Sequence, residues 1–268
     1  MLKQRLMTAA ILWVVAIVGI LYLPTKWFAL VATIIVGLLA WEYSFLIGLH
    51  RALYRTFYTI IAILAIRLAF YIPMFYLFLV AFIIWLWIAT ALISYAKQGP
   101  TLGLGSNLIK GVIGIIIFIN FWVAINILRQ TSLGPVLLIF VFLLVWSVDT
   151  GAFFVGRQMG NKKLIPRVSP NKTWEGLIGG LVLCILVAVI YAFARHLRGL
   201  SFLMLIILAV ITGIFSVVGD LYESMLKRQA NVKDSGNIFP GHGGILDRLD
   251  SALAALPIFT LGILFFGA

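Results

Sequence analysis

Long apolar stretches alternate with short polar ones along the whole chain. Most stretches approach the roughly 20 residues that a helix needs to cross a bilayer. Backbone polar groups at that depth must be satisfied within the segment, and the period-two alternation of a membrane barrel is absent, so we predict helices. The pattern predicts nine spans: an apolar run ending at Leu23, interpreted as a retained anchor, and runs near 27–48, 55–71, 74–94, 108–127, 134–156, 175–195, 201–220 and 248–267.

Composition supports an all-α, polytopic integral membrane protein. Hydrophobic residues make up 63% of the chain and charged residues only 10%, which is too little polar surface for a soluble domain. We expect one membrane domain over 1–268, with scaffold helices in 1–133 and catalytic helices and cytoplasmic loops in 134–268. The single cysteine, Cys184, leaves no intramolecular disulfide and no thiol metal cluster.

The basic residues predict the orientation of the spans. With the N-terminus in the cytoplasm, fifteen of the 20 Lys and Arg residues face the cytoplasm and four face the other side, as the positive-inside rule expects. The polar segments 157–173 and 221–247 then share the cytoplasmic face. Loops beside an anionic leaflet explain the net charge of +12 better than nucleic acid does. The compact loops favour a bacterial inner membrane, and a homodimer is left open.

Three polar segments in the second half carry the candidate chemistry. The first contains Asp149, inside the sixth span, where a charge costs about 2.5–3.5 kcal/mol. A metal or a basic partner would offset that cost, and a purely structural ion pair is the alternative. Gly151 and Gly156 would let another helix or a ligand approach closely.

The second polar segment runs from Arg167 to Gly176 into the seventh span. Ser169 and Thr173 are candidate N-caps of this helix. Lys172 beside a helix N-terminus would form an anion site. A well-capped helix with a leaflet-facing lysine is the alternative interpretation.

The third polar segment, residues 219–251, holds five of the eight Asp and Glu residues of the chain. If the eighth helix continues past the membrane surface, one face carries four of its polar side chains. These are Asp220, Glu223, Ser224 and Lys227. A glycine-rich loop containing His242 follows, and its N–H groups could bind phosphate. Asp247 and Asp250 then open the last span on one face, so Asp220 and Asp247 could face each other across the loop. Two carboxylate pairs there could hold Mg²⁺.

The run from Ser224 to Asp250, SMLKRQANVKDSGNIFPGHGGILDRLD, resembles the signature of phosphatidate cytidylyltransferases, also called CDP-diacylglycerol synthases. The run SPNKTWEG at 169–176 and the Asp149 segment resemble the same family, in the same order. The resemblance is firm over roughly 149–251. It implies an integral membrane enzyme that converts CTP and phosphatidate into CDP-diacylglycerol and pyrophosphate and depends on Mg²⁺.

The resemblance, with the chemistry above, assigns a role to each candidate residue. Metal ligands would be Asp220 and Asp247, with Asp250 and Asp149 as further candidates; a second cation, monovalent or divalent, is left open. The triphosphate and the departing pyrophosphate would be held by Lys227, Arg228, Lys233 and Arg248. Ser169 and Lys172 would hold a phosphate such as that of the lipid. Ser224 and Asp234 would contact substrate, and His242 would donate to a phosphate or to pyrophosphate.

Two other functional classes remain open at this point. A transporter would use membrane-embedded acids such as Asp149 and Glu42, but it should distribute them near mid-membrane, whereas most acids here lie at one face. A CTP-dependent lipid kinase, such as a polyprenol or dolichol kinase, would move the γ-phosphate instead. Release of CDP in place of pyrophosphate would identify it.

Overall fold

The computed structural model describes residues 14–99, 101–238 and 243–266. Residues 14–22 are helical and form the described part of α1. The helices that follow are α2 (Thr25–Leu46), α3 (Ala52–Ala69), α4 (Met74–Ala96), α5 (Asn107–Gln130), α6 (Gly134–Met159), α7 (Trp174–Ala194), α8 (Gly199–Gln229) and α9 (Leu246–Phe266). Eight of the described helices, α2 to α9, are long and apolar enough to cross a membrane. The all-α membrane fold is therefore confirmed, while the part of the first predicted span before residue 14 lies outside the described residues.

A short antiparallel hairpin between α6 and α7 was not predicted. It consists of β1 (Lys163–Ile165) and β2 (Ser169–Thr173), with Ile165 opposite Ser169 and Lys163 opposite Thr173. The prediction that Ser169 caps α7 is wrong: this residue begins β2, and Pro170 after it favours extended backbone. Thr173 is the cap, because its hydroxyl accepts the Gly176 N–H at 3.1 Å.

Helix α8 extends beyond a membrane span. Its 31 residues correspond to roughly 46 Å of helix, compared with a hydrocarbon core of roughly 30 Å. The apolar part ends near Gly219, and the charged residues that follow still belong to the helix. The sequence predicts a shared polar face on α8 if this helix continues past the membrane surface. The structure meets that condition.

Helices α6 and α7 approach each other closely through glycines. A Cβ at Gly151 would lie 2.7 Å from the Gly179 carbonyl oxygen, and one at Gly156 would lie 3.2 Å from the Thr173 hydroxyl. The prediction that these two glycines permit a close helix contact is confirmed. The contact brings Asp149, two residues before Gly151, toward the segment that contains Lys172.

Candidate active site

Two groups of ion pairs connect the hairpin, α8 and α9 at one end of the bundle. Lys172 of β2 pairs with Asp220 of α8, and their side chains are 27% and 24% exposed. Lys227 of α8 bonds Glu223 at 3.0 Å and Asp247 of α9 at 2.7 Å. The structure thus brings the second and third polar segments of the sequence together.

The polar face predicted for α8 is present. The Ser224 hydroxyl donates to Asp220 Oδ1 at 3.3 Å, and Lys227 bonds Glu223 four residues earlier. Both contacts join residues one helical turn apart, which is the spacing that places side chains on one face. The face points toward α9 and β2, because its charged partners lie on those two elements.

Asp247 organises the loop between α8 and α9. Its Oδ2 accepts the Ser235 N–H at 2.9 Å, the Ser235 hydroxyl at 2.9 Å and the Gly244 N–H at 2.8 Å. Gly243, with φ of +80°, makes the turn that aims the Gly244 N–H at this oxygen. Lys227 occupies Oδ1, so both oxygens of Asp247 have protein partners.

Carboxylates outnumber ammonium groups in this cluster. Asp149 lies close enough to Asp220 and Lys172 to interact electrostatically, and Asp250 lies similarly close to Asp220 and Glu223. With Asp247, five carboxylates meet two bonded lysines among the described residues. An all-oxygen donor set with excess negative charge suits a hard divalent cation. Within the described ranges, however, no three Asp, Glu, His or Cys side chains converge closely enough to hold a metal alone, so substrate oxygens would have to complete the ligand set.

The remaining predicted residues lie around this cluster. Arg228 reaches the hairpin, where its Nε donates to the Val168 carbonyl at 3.3 Å. Ser169 is partly exposed at the start of β2, on the strand that carries Lys172. Exposed positions in the loop or at the start of α9 are Lys233, Asp234 and Arg248. His242 lies outside the described residues, and the roles assigned to all of these side chains stay predictions.

Three polar residues of the site were not among the predicted ligands. Glu223 bonds Lys227 and interacts with Asp250; its helical spacing placed it on the polar face of α8 but did not assign it a role. Glu42 of α2 and Ser235 of the loop bond each other at 3.1 Å. The sequence drew attention to Glu42 because it is the only acid in the first half of the chain. Nothing in the sequence distinguished Ser235.

A polar cavity of about 420 Å³ opens beside the loop. Trp41, Arg55 and Asp234 are among the residues that line it. The Arg55 guanidinium lies 4.1 Å from the centre of the Trp41 ring and donates to the Trp41 carbonyl at 2.9 Å. Asp234, a predicted substrate contact, therefore faces this cavity.

Comparison with known proteins finds similar sequences along nearly the whole chain. The model of the cytidylyltransferase family matches residues 3–266. The chain is 37% identical to the phosphatidate cytidylyltransferase of Pseudomonas aeruginosa, with 97% of this chain and 96% of that protein aligned. It is also 37% identical to that of Haemophilus influenzae, over 97% and 98% of the two chains. The enzyme of the same name from Bacillus subtilis is 44% identical over about half of each chain.

Proposed function

The chain belongs to the cytidylyltransferase family, and we propose that it transfers the cytidylyl group of CTP to phosphatidate, giving CDP-diacylglycerol and pyrophosphate. The relatives aligned over nearly their full length carry the name of this activity. The observation in the structure that supports it best is the meeting of Lys172, Asp220, Lys227 and Asp247 at one end of an apolar bundle. Such a site can receive a polyanionic nucleotide from water and a lipid phosphate from the membrane.

The reaction requires positioning and charge neutralisation more than proton removal. An oxygen of the phosphatidate phosphate, already anionic, forms a bond to the α-phosphorus of CTP. The bond from that phosphorus to the β-phosphate oxygen breaks, and its electron pair leaves with pyrophosphate. Negative charge therefore builds on the leaving group, where ammonium and guanidinium groups stabilise it.

The ion pairs suggest how the basic side chains are positioned to neutralise charge on the phosphates. Lys227 bonds two carboxylates from different helices, which fixes its position before it meets a phosphate. Lys172 is paired with Asp220 on the neighbouring element and would turn toward a phosphate oxygen of the lipid or nucleotide. Arg228, Lys233 and Arg248 would hold the outer phosphates and the departing pyrophosphate.

Mg²⁺ is the cofactor that this set of side chains would accept. Asp220, with Asp149 and Asp250 beside it, would hold the ion, and Asp247 is a further candidate whose oxygens would first have to release protein partners. Bound Mg²⁺ would neutralise phosphate charge and orient the triphosphate. A second cation, monovalent or divalent, stays a prediction.

The site would lie at the cytoplasmic face of a bacterial inner membrane. The excess of Lys and Arg in the polar segments that build the site supports this orientation, and the bacterial relatives support the compartment. A homodimer stays a prediction, which the mass of the purified protein–detergent complex would test.

The proposed function is tested by following the label of α-³²P-CTP. Purified protein receives the labelled nucleotide, phosphatidate in mixed micelles and Mg²⁺, with parallel samples lacking phosphatidate. We expect label to enter the organic phase as CDP-diacylglycerol and unlabelled pyrophosphate to be released in equal amount. Label that remains in water as CDP would instead identify a CTP-dependent kinase, and intact CTP in well-folded protein would contradict the proposal.

A further inference from the structure

Glu42 lies against the loop of the site although it comes from the first half of the chain. Its side chain is only 1% exposed. Its Oε2 accepts the Leu246 N–H at 2.8 Å and the Ser235 hydroxyl at 3.1 Å. The two contacts reach across 204 and 193 residues of sequence, to the first residue of α9 and to the middle of the loop before it.

The contact with Ser235 links Glu42 to Asp247. The Ser235 hydroxyl lies 3.1 Å from Glu42 Oε2 and 2.9 Å from Asp247 Oδ2, and it accepts the Asp247 N–H at 3.3 Å. One hydroxyl hydrogen is thus shared between two carboxylates. Moving Glu42 would therefore shift the hydrogen bonds that fix Asp247.

The loop backbone is fitted around the Glu42 carboxylate. A Cβ at Gly236 would overlap Glu42 Oε1, and a Cβ at Gly244 would overlap both Glu42 Oε2 and the Ser235 hydroxyl. Only glycine leaves room for the carboxylate at these two positions. Gly236 and Gly244 thus allow the loop to pack against Glu42, in addition to any role of the loop in binding phosphate.

The helix that carries Glu42 is itself firmly held. The next residue, Tyr43, donates its hydroxyl to the Lys110 carbonyl of α5 at 2.7 Å and lies 2.7 Å from the Tyr222 hydroxyl of α8. Gly114 leaves space for the Tyr43 ring, which a Cβ would enter. Glu42 is therefore anchored relative to α8, the helix that supplies Asp220 and Lys227.

We propose that Glu42 is a positioning residue for the transfer reaction: it holds the loop through Ser235 and Leu246 and so fixes Asp247 relative to Lys227. A buried carboxylate is costly without hydrogen-bond donors. With the loop packed against α2, Ser235 and Leu246 donate to Oε2, while Oε1 has no hydrogen-bond partner among the described residues. Losing these two donors would leave the whole buried carboxylate without partners, so Glu42 favours the packed position of the loop. The inference rests on the proposed function, but Glu42 itself need not touch substrate.

Four variants and one control test this role. Glu42→Ala removes the acceptor, Glu42→Gln keeps one acceptor oxygen without the charge, and Ser235→Ala removes the link from the other side. The fourth variant combines Glu42→Ala with Ser235→Ala. Ser44→Ala is the control, because Ser44 is buried two residues further along the same helix, and its hydroxyl donates within that helix, to the Trp41 carbonyl.

Steady-state kinetics of cytidylyl transfer should distinguish a positioning role, which changes kcat, from a role in substrate binding, which changes KM. We expect Glu42→Ala and Ser235→Ala each to lower kcat roughly 10- to 100-fold, the scale of one or two lost hydrogen bonds to a charged group. The KM for phosphatidate should stay within about twofold, because Glu42 is only 1% exposed and its proposed role needs no contact with the lipid. Glu42→Gln should recover part of kcat, and the double variant should lose little more than the more damaging of the two single variants.

Hydrogen exchange provides a measurement that does not need activity. The Ser235, Gly244 and Leu246 amides should exchange faster in Glu42→Ala and at the unaltered rate in Ser44→Ala. Unchanged kcat and unchanged exchange in Glu42→Ala would overturn the inference, as would fully multiplicative losses in the double variant. A parent protein that exchanges as expected but transfers no cytidylyl group would contradict the proposed function instead.

Discussion

Replacing Lys227 with methionine should destabilise the protein more than the same change at Lys172. The Lys227 side chain is 17% exposed, and its partners Glu223 and Asp247 are 4% and 10% exposed. Methionine keeps most of the side-chain volume but removes the charge that both carboxylates require. Removing one member of a buried ion pair typically costs about 3–5 kcal/mol, because a charge is left without a partner.

The pair of Lys172 and Asp220 supplies the matched comparison. These side chains are 27% and 24% exposed, so water can solvate Asp220 once Lys172 is gone. An exposed pair contributes about 0.2–1 kcal/mol. We therefore expect Lys172→Met to cost several times less stability than Lys227→Met, although both should impair transfer.

Thermal unfolding in detergent measures the difference. At about 2–4 °C per kcal/mol, Lys227→Met should lower the unfolding temperature by roughly 6–20 °C and Lys172→Met by at most about 4 °C. Lys227→Arg, which retains the charge, should recover part of the loss. Equal shifts for the two methionine variants, or a larger shift for Lys172→Met, would refute the reasoning from burial.

Three further changes test other parts of the account. Gly151→Ala should lower the free energy of unfolding by about 1–3 kcal/mol, because the added methyl group pushes α6 away from the Gly179 carbonyl. The control Gly37→Ala, whose Cβ would meet Ile63 at an ordinary 3.4 Å, should be nearly neutral in the same unfolding assay. Gly244→Ala should reduce transfer strongly with normal expression, because its methyl overlaps the Glu42 carboxylate; normal turnover would show that the loop can adapt. Chelation by EDTA should abolish transfer and added Mg²⁺ should restore it; turnover that survives chelation would contradict the proposed metal.

The membrane spans could be predicted because hydropathy alone determines them. Predicted and observed bounds of α4, α5 and α7 differ by no more than three residues at either end. The hairpin was missed because 163–173 is short and carries no alternating apolar pattern. The sequence also favours Ser169 as a helix cap, because a serine before a proline suits a turn, a cap or a strand equally well.

The sequence indicated which residues meet but not how they pair. Clustering of Asp and Lys in 219–251, together with the helical spacing, predicted the polar face of α8. The partners across elements, Lys172 with Asp220 and Lys227 with Asp247, depend on how α8 packs against β2 and α9. A contact such as Glu42 with Ser235 spans 193 residues and cannot be inferred from local spacing.

The central claim is that cytidylyl transfer occurs at the cluster around Asp220. The most direct measurement is the rate of label transfer from α-³²P-CTP to phosphatidate by the protein and by its Asp220→Asn variant, both shown to be folded by their unfolding temperatures. The account predicts that the variant loses roughly 100-fold or more of the rate, because the stabilisation of charge at the reacting phosphates is lost. A folded Asp220→Asn protein that transfers the label at the unaltered rate would contradict it.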